Sequence, residues 1–318
     1  MRISATARTW LLRSVKYGVL ALVAWGVVQA FRGALAELDQ YRWSPRPAWL
    51  IVSGCLYLIG QFPSGVFWHR VLISLGQRTT LARSLRAYYI GHVGKYVPGK
   101  AMVVVLRASL VKGPGVDAAV AAASVFYETL TSMAVAAMVA AGVLAIWLRG
   151  PWGLVAVSLG LMALAALPTF PPIFLHVLHL VGRRWSDPAT MATIRRLDYA
   201  TIVWGWLSIA GGWIIMGLSL WAAVRAFTPD APPEMPRYTA GVALSTVAGF
   251  VAMIPAGAGI RELVLKEVLA PAIGATPAFV SAIVLRLVSL VAELAISGIL
   301  YPLGGRMRSG EERGVDHG

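Results

Sequence analysis

Apolar residues in this chain come in long unbroken runs, not in the short alternations of a half-buried strand. Pro47 to Trp68, Tyr199 to Val224 and Tyr238 to Ile260 carry no charge, and neither does Thr129 to Leu148. About 20 such residues in a helix cross the roughly 30 Å of a bilayer's hydrocarbon. The pattern predicts helices over Ser14 to Phe31, Ala48 to Trp68, Asp117 to Leu148, Trp152 to Phe170, Tyr199 to Phe227 and Pro277 to Leu303. An interrupted segment, Tyr238 to Ala270, lies between the last two. The expected fold is all-α, a polytopic transmembrane bundle of about seven spans, forming one membrane domain over residues 1–318 with a polar cytoplasmic tail at 306–318.

Polar residues collect between the runs. His69 to Lys112 contains His69, Arg70, Arg78, Arg83, Arg86, His92, Lys95, Lys100, Arg107 and Lys112 with no acidic residue, so the positive-inside rule places it on the cytoplasmic side. The loop Thr228 to Arg237, with Asp230, Glu234 and four prolines, fits the outside. If Tyr238 to Ala270 were one crossing, Arg306 and Arg308 would end outside. A re-entrant hairpin turning at Pro255 to Gly259 returns them inside. Both termini are then cytoplasmic in a multi-pass protein of the inner or plasma membrane. Arg2, Arg8, Arg13 and Lys16 ahead of an apolar run imitate a signal peptide, but Arg32 interrupts the approach to Ala34-Leu35-Ala36, which favours a retained first helix.

Composition agrees: 58% of the 318 residues are hydrophobic and 13% charged, and the mean hydropathy is +0.71. An ordinary soluble domain has about 25% charged residues. The net charge of +14 is therefore read against anionic lipid headgroups, with no nucleic-acid partner expected. One cysteine, Cys55, permits no intrachain disulfide or cysteine-based metal site. No Gly-x-x-x-x-Gly-Lys-Ser/Thr motif occurs, which argues against ATP hydrolysis. The five histidines lack metal-ligand spacing beside carboxylates, and His176 and His179 suit an interface better. No cofactor, metal or catalytic residue is expected.

Three features remain. Gly94, Lys95, Tyr96, Pro98, Gly99, Lys100 and Arg107 form a basic segment whose glycines permit close backbone approach and whose cations suit a phosphate; the plain alternative is a basic interfacial loop. Pro255, Gly257, Gly259, Arg261 and Glu262 form a second break, where a restarting helix aims its positive end at an anion; the alternative is a kink with a snorkelling arginine. Each half of the chain thus has one broken apolar segment followed by cations, an arrangement that points to a midplane site in transporters of inverted repeats. Third, Glu128, Arg286 and Glu293 sit inside apolar stretches, where each charge costs at least about 2.5–3.5 kcal/mol and needs a partner. Arg286 and Glu293, two helical turns apart, line one stripe. Such groups either pair to hold helices together or line a pathway.

The order Gly94-Lys95-Tyr96-Val97-Pro98-Gly99-Lys100, Arg107, Glu128, then Ile254-Pro255-Ala256-Gly257-Ala258-Gly259-Ile260-Arg261-Glu262 and Arg286 resembles the lysylphosphatidylglycerol synthase transmembrane region, a flippase-like membrane family, over about residues 15–305. The resemblance implies a domain that moves a lipid between leaflets. In the namesake proteins a similar domain precedes a soluble aminoacyltransferase; these 318 residues hold no such second domain, so aminoacyl transfer is not carried over. The family often shows Glu-Arg with an Asp three residues beyond the Arg, whereas Thr129 and Ser132 follow Glu128 here, which puts the family's coupling in doubt.

The expectation is a non-enzymatic flippase-like transporter of a phosphate-bearing lipid: a phospholipid, a polyprenyl-phosphate carrier or a hopanoid-like lipid. Lys95, Lys100, Arg107, Arg261 and Arg286 would contact the headgroup, and Glu128, Glu262 and Glu293 would balance or switch them. The rival is an accessory subunit for a glycosyltransferase or lipid-modifying enzyme. Sealed ion pairs at Glu128, Arg286 and Glu293 would favour that rival.

Overall fold

A computed structural model describes residues 45–97, 101–147, 199–252 and 255–303, with isolated residues between 18 and 32 and short pieces between 167 and 176. The described helices are α1 (Pro47–Ser74), α2 (Leu81–His92), α3 (Ala101–Val111), α4 (Ala118–Trp147), α5 (Tyr199–Arg225), α6 (Met235–Val251), α7 (Ile260–Ile273) and α8 (Ala275–Leu300). Short 3-10 turns occupy Val93–Tyr96, Leu167–Thr169 and Pro255–Gly257. No strand occurs among the described residues.

Within α1, α4, α5 and α8 lie stretches of 28, 28, 27 and 26 residues apolar enough to cross a membrane. At 1.5 Å per residue each is about 40 Å long, more than the hydrocarbon requires. These are four candidate crossings among the described residues, against an expectation of about seven. Most of the expected helix over Ser14 to Phe31, the turn at Arg149 to Pro151, most of Trp152 to Phe170 and the tail at 306–318 lie outside the described residues. The uncharged run Tyr238 to Ile260 is interrupted at Pro255 to Gly259, where the sequence places the break: it comprises most of α6, a broken turn and the first residue of α7. Pro255 lacks the N–H that would continue the helix, Ala256 takes φ 51°, and Gly257 and Gly259 take φ 68° and 81°, a region glycine enters without penalty.

Helices α1 and α5 lie antiparallel over most of their length because small residues let their backbones approach. A Cβ added at Gly212 would stand 2.6 Å from the Gly60 carbonyl oxygen, and one at Gly205 would enter the Phe67 ring. One end of the seam is tied by reciprocal bonds: Ser53 Oγ donates to the Ser219 carbonyl at 2.8 Å and Ser219 Oγ to the Ser53 carbonyl at 2.8 Å. In hydrocarbon these hydroxyls would otherwise lack partners.

Four shorter helices form two hairpins. The first is α2 and α3, whose bases are joined by Arg78 N–H to Gly115 O at 2.9 Å and by Arg83 Nη2 to Lys112 O at 2.6 Å. Gly91 lies directly against the Arg107 backbone, so the two arms touch near the tip. The second is α6 and α7, closed where Gly249 meets Gly257 and Arg261. They approach α8 from opposite ends: Arg86 of α2 donates to Leu300 O at the C-terminus of α8, while α7 runs into the N-terminus of α8 through Gly274 alone. Their tips meet beside the middle of α8, where Val93 and Tyr96 pack on Leu290 with Ala256 against them.

Candidate functional site at the hairpin tips

Helix α8 presents Arg286 and Glu293 on one stripe, and each hairpin supplies one partner. From the first tip, Lys95 Nζ reaches Glu293 Oε1 at 2.5 Å. From the second, Glu262 in the opening turn of α7 receives Arg286 Nη1 at 3.0 Å. A third pair joins α3 to α4, Arg107 Nη1 to Glu128 Oε2 at 2.6 Å, with both side chains at most 3% exposed. Lys95 and Glu293 unite elements 198 positions apart, while the other two pairs tie consecutive helices. A buried pair is weak evidence for net stability, yet removing one partner strands a charge at a cost of about 3–5 kcal/mol.

Around Glu293 the contacts continue. The Tyr57 hydroxyl of α1 donates to Glu293 Oε1 and receives Lys95 Nζ at 3.0 Å. His92 Nε2 stands 3.8 Å from Glu293 Oε1, while its Nδ1 receives Arg107 Nη2 at 3.1 Å. The Arg107 guanidinium also lies 3.9 Å from the centre of the Tyr88 ring, a cation–π contact that helps compensate its lost hydration. One chain of polar groups therefore runs from Glu128 through Arg107, His92 and Glu293 to Lys95 and Tyr57.

Arg261 is different. It is half-buried and packed by its methylenes against Gly249 and Gly257, within electrostatic reach of Tyr57, His92, Lys95 and Tyr96. No carboxylate or hydrogen-bond acceptor among the described residues engages it. With Glu262, Leu265, Ala282, Leu285 and Arg286 it lines a small cleft between α7 and α8. Four cations and three carboxylates thus converge among the described residues, and the unmatched charge is Arg261. Glu262 Oε2, Glu293 Oε2, Arg286 Nε and Arg107 Nε are buried with no hydrogen-bond partner among the described residues.

Of the residues singled out in the sequence, Lys95, Arg107, Glu128, Arg261, Glu262, Arg286 and Glu293 gather around the tips or in the pair leading to them. Gly94 packs against the Val103 backbone, and Gly257 and Gly259 supply the left-handed turn. Pro255 opens that turn. Pro98, Gly99 and Lys100 lie outside the described residues. Tyr57 and His92 were missed as site residues. His92 counted only toward the basic charge of its segment, and its position three residues before Lys95 was the available signal; Tyr57, a single phenol in an apolar helix, offered little more.

The model for the lysylphosphatidylglycerol synthase TM region matches residues 13–297. The chain belongs to that family. This lysylphosphatidylglycerol synthase TM-region protein is a multi-pass membrane protein, and the matched span includes every member of the polar chain described above. No curated protein matches it significantly.

Proposed function

We propose that this protein moves a phosphate-bearing lipid between leaflets, with Arg261 as the first contact of the phosphate. The observation that carries this reading is the unmatched guanidinium of Arg261 at the junction of two oppositely entering hairpins. In the bilayer both hairpins are re-entrant, and their tips lie near midplane. Irregular backbone at that depth is tolerated only inside protein or beside a wet cavity, and broken helices there build substrate sites in transporters. Lys95, Arg286 and Arg107, each held by a carboxylate, form a reserve of positive charge, and Glu293, Glu262 and Glu128 release or recapture it as the headgroup passes. The substrate is a phospholipid, a polyprenyl-phosphate carrier or a hopanoid-like lipid; the protein is not an enzyme, both termini are cytoplasmic, and its habitat is the inner or plasma membrane.

A second reading has its own support. Glu128 and Glu293 are 3% and 1% exposed and closed in ion pairs, as expected of a rigid accessory subunit that positions a glycosyltransferase or lipid-modifying enzyme.

Leaflet-resolved lipid movement by the purified protein in liposomes separates the two. Transport predicts movement of at least one phospholipid or polyprenyl-phosphate probe, lost in Arg261→Ala and Arg286→Ala. No movement of any probe by a folded sample leaves the accessory reading.

A further inference from the structure

Among the described residues, His92, the last residue of α2, stands between two of the ion pairs and reaches both. A guanidinium only donates, so the bond from Arg107 Nη2 requires a lone pair on Nδ1. The ring is therefore neutral in this arrangement, with its proton on Nε2 directed toward Glu293. The groups around it are Tyr88 and Lys95 from its own hairpin arm and tip, Arg107 from α3 with Glu128 behind it, Glu293 from α8 with Tyr57 of α1 behind it, and Arg261 from the second hairpin. Burial opposes a charge on the ring most, and three of the surrounding cations, Lys95, Arg107 and Arg261, oppose it further. An anion beside Arg261 cancels part of that opposition.

We infer that His92 takes up a proton as an anionic phosphodiester binds beside Arg261, and that this proton is what opens the closed pairs. The inference rests on the reading of Arg261 as the phosphate contact. The proton comes from water onto Nδ1. Once protonated, Nδ1 cannot accept from Arg107, and the imidazolium, with two donors, turns to Glu293, whose Oε2 has no partner among the described residues. Glu293 then shares its charge between His92 and Lys95, so the Lys95 ammonium is freed toward the phosphate already held by Arg261. Binding and proton uptake are linked, and each strengthens the other equally. His92 acts through Glu293 and Lys95, which makes it a positioning residue with a titration of its own.

The test is calorimetry of the purified full chain against two probes, dihexanoyl phosphatidylglycerol and dimethyl phosphate, near pH 7 in two buffers of different ionisation enthalpy. Neither probe titrates there, so any proton taken up goes to the protein. Wild type should take up protons on binding lipid, up to one per lipid, with affinity falling as the pH rises. His92→Gln and His92→Asn, which keep polar contacts but cannot titrate, should bind with no uptake. Arg261→Ala should lose binding. Uptake with dimethyl phosphate places recognition in the phosphodiester itself; uptake with the lipid alone requires the acyl chains as well, and either result upholds the proton. Lipid binding by wild type without uptake, or equal uptake in the His92 variants, overturns the proposal and leaves the Arg261 site standing. Absence of binding in wild type, or full binding in Arg261→Ala, overturns the site and the proposal together.

Discussion

At the scale of single residues, the molecule turns on how a few charges are kept in an apolar surrounding. Arg107 and Glu128 compensate each other's desolvation, with Tyr88 stacked on the guanidinium and His92 taking a second N–H. Truncating one member leaves the other charge stranded, whereas replacing both by apolar residues of similar volume removes the problem. Glu128→Leu should lower stability by about 3–5 kcal/mol, and Arg107→Met with Glu128→Leu should restore most of that. Thermal unfolding in one detergent would measure both; a double variant no better than the single one would mean the pair does more than neutralise itself. Glu128 was legible as an isolated charge in an apolar helix and Arg107 as the last cation of the basic segment singled out, but nothing in their spacing said that they were each other's partner. Tyr57 was illegible for a related reason: it meets Glu293 across 236 positions, a contact that only the packing of α1 on α8 creates.

At the scale of elements, glycine decides where helices come close. The α1–α5 seam depends on Gly60 facing Gly212 and on Gly205 receiving Phe67. Gly212→Ala would drive a methyl group into the Gly60 carbonyl, a backbone atom that cannot swing aside. Overpacking of this kind costs about 1–3 kcal/mol. Gly211 is the matched control, since nothing stands within 4 Å of a Cβ there. Gly212→Ala should therefore melt at a lower temperature and Gly211→Ala should not; equal behaviour would mean the seam has slack. Both Gly/Pro breaks could be read from the sequence because each places residues that end helices inside an apolar run. Hydropathy alone averages over the break in Tyr238 to Ile260, whereas Pro255, Gly257 and Gly259 mark it. The depth at which each hairpin turns was not legible, because it is set by contacts to α1 and α8.

For the whole molecule, the design is a frame of long apolar helices with two shorter hairpins inserted from opposite ends. Each half of the chain contributes one hairpin, and α8 is the post at which both deliver a charge. Hydropathy already implied long apolar helices and the two Gly/Pro breaks; that the hairpins approach α8 from opposite ends and meet tip to tip follows from three-dimensional packing alone. The account stands on that junction being both real in the bilayer and the place where a headgroup passes. Val93→Cys with Ala256→Cys, in a Cys55→Ser background, puts one thiol on each tip around Leu290. A short bifunctional maleimide applied to proteoliposomes should join the two within one chain and stop lipid movement, while either single cysteine treated alike should not. Failure of the tips to cross-link in a folded sample, or undiminished lipid movement with the tips joined, would contradict the account.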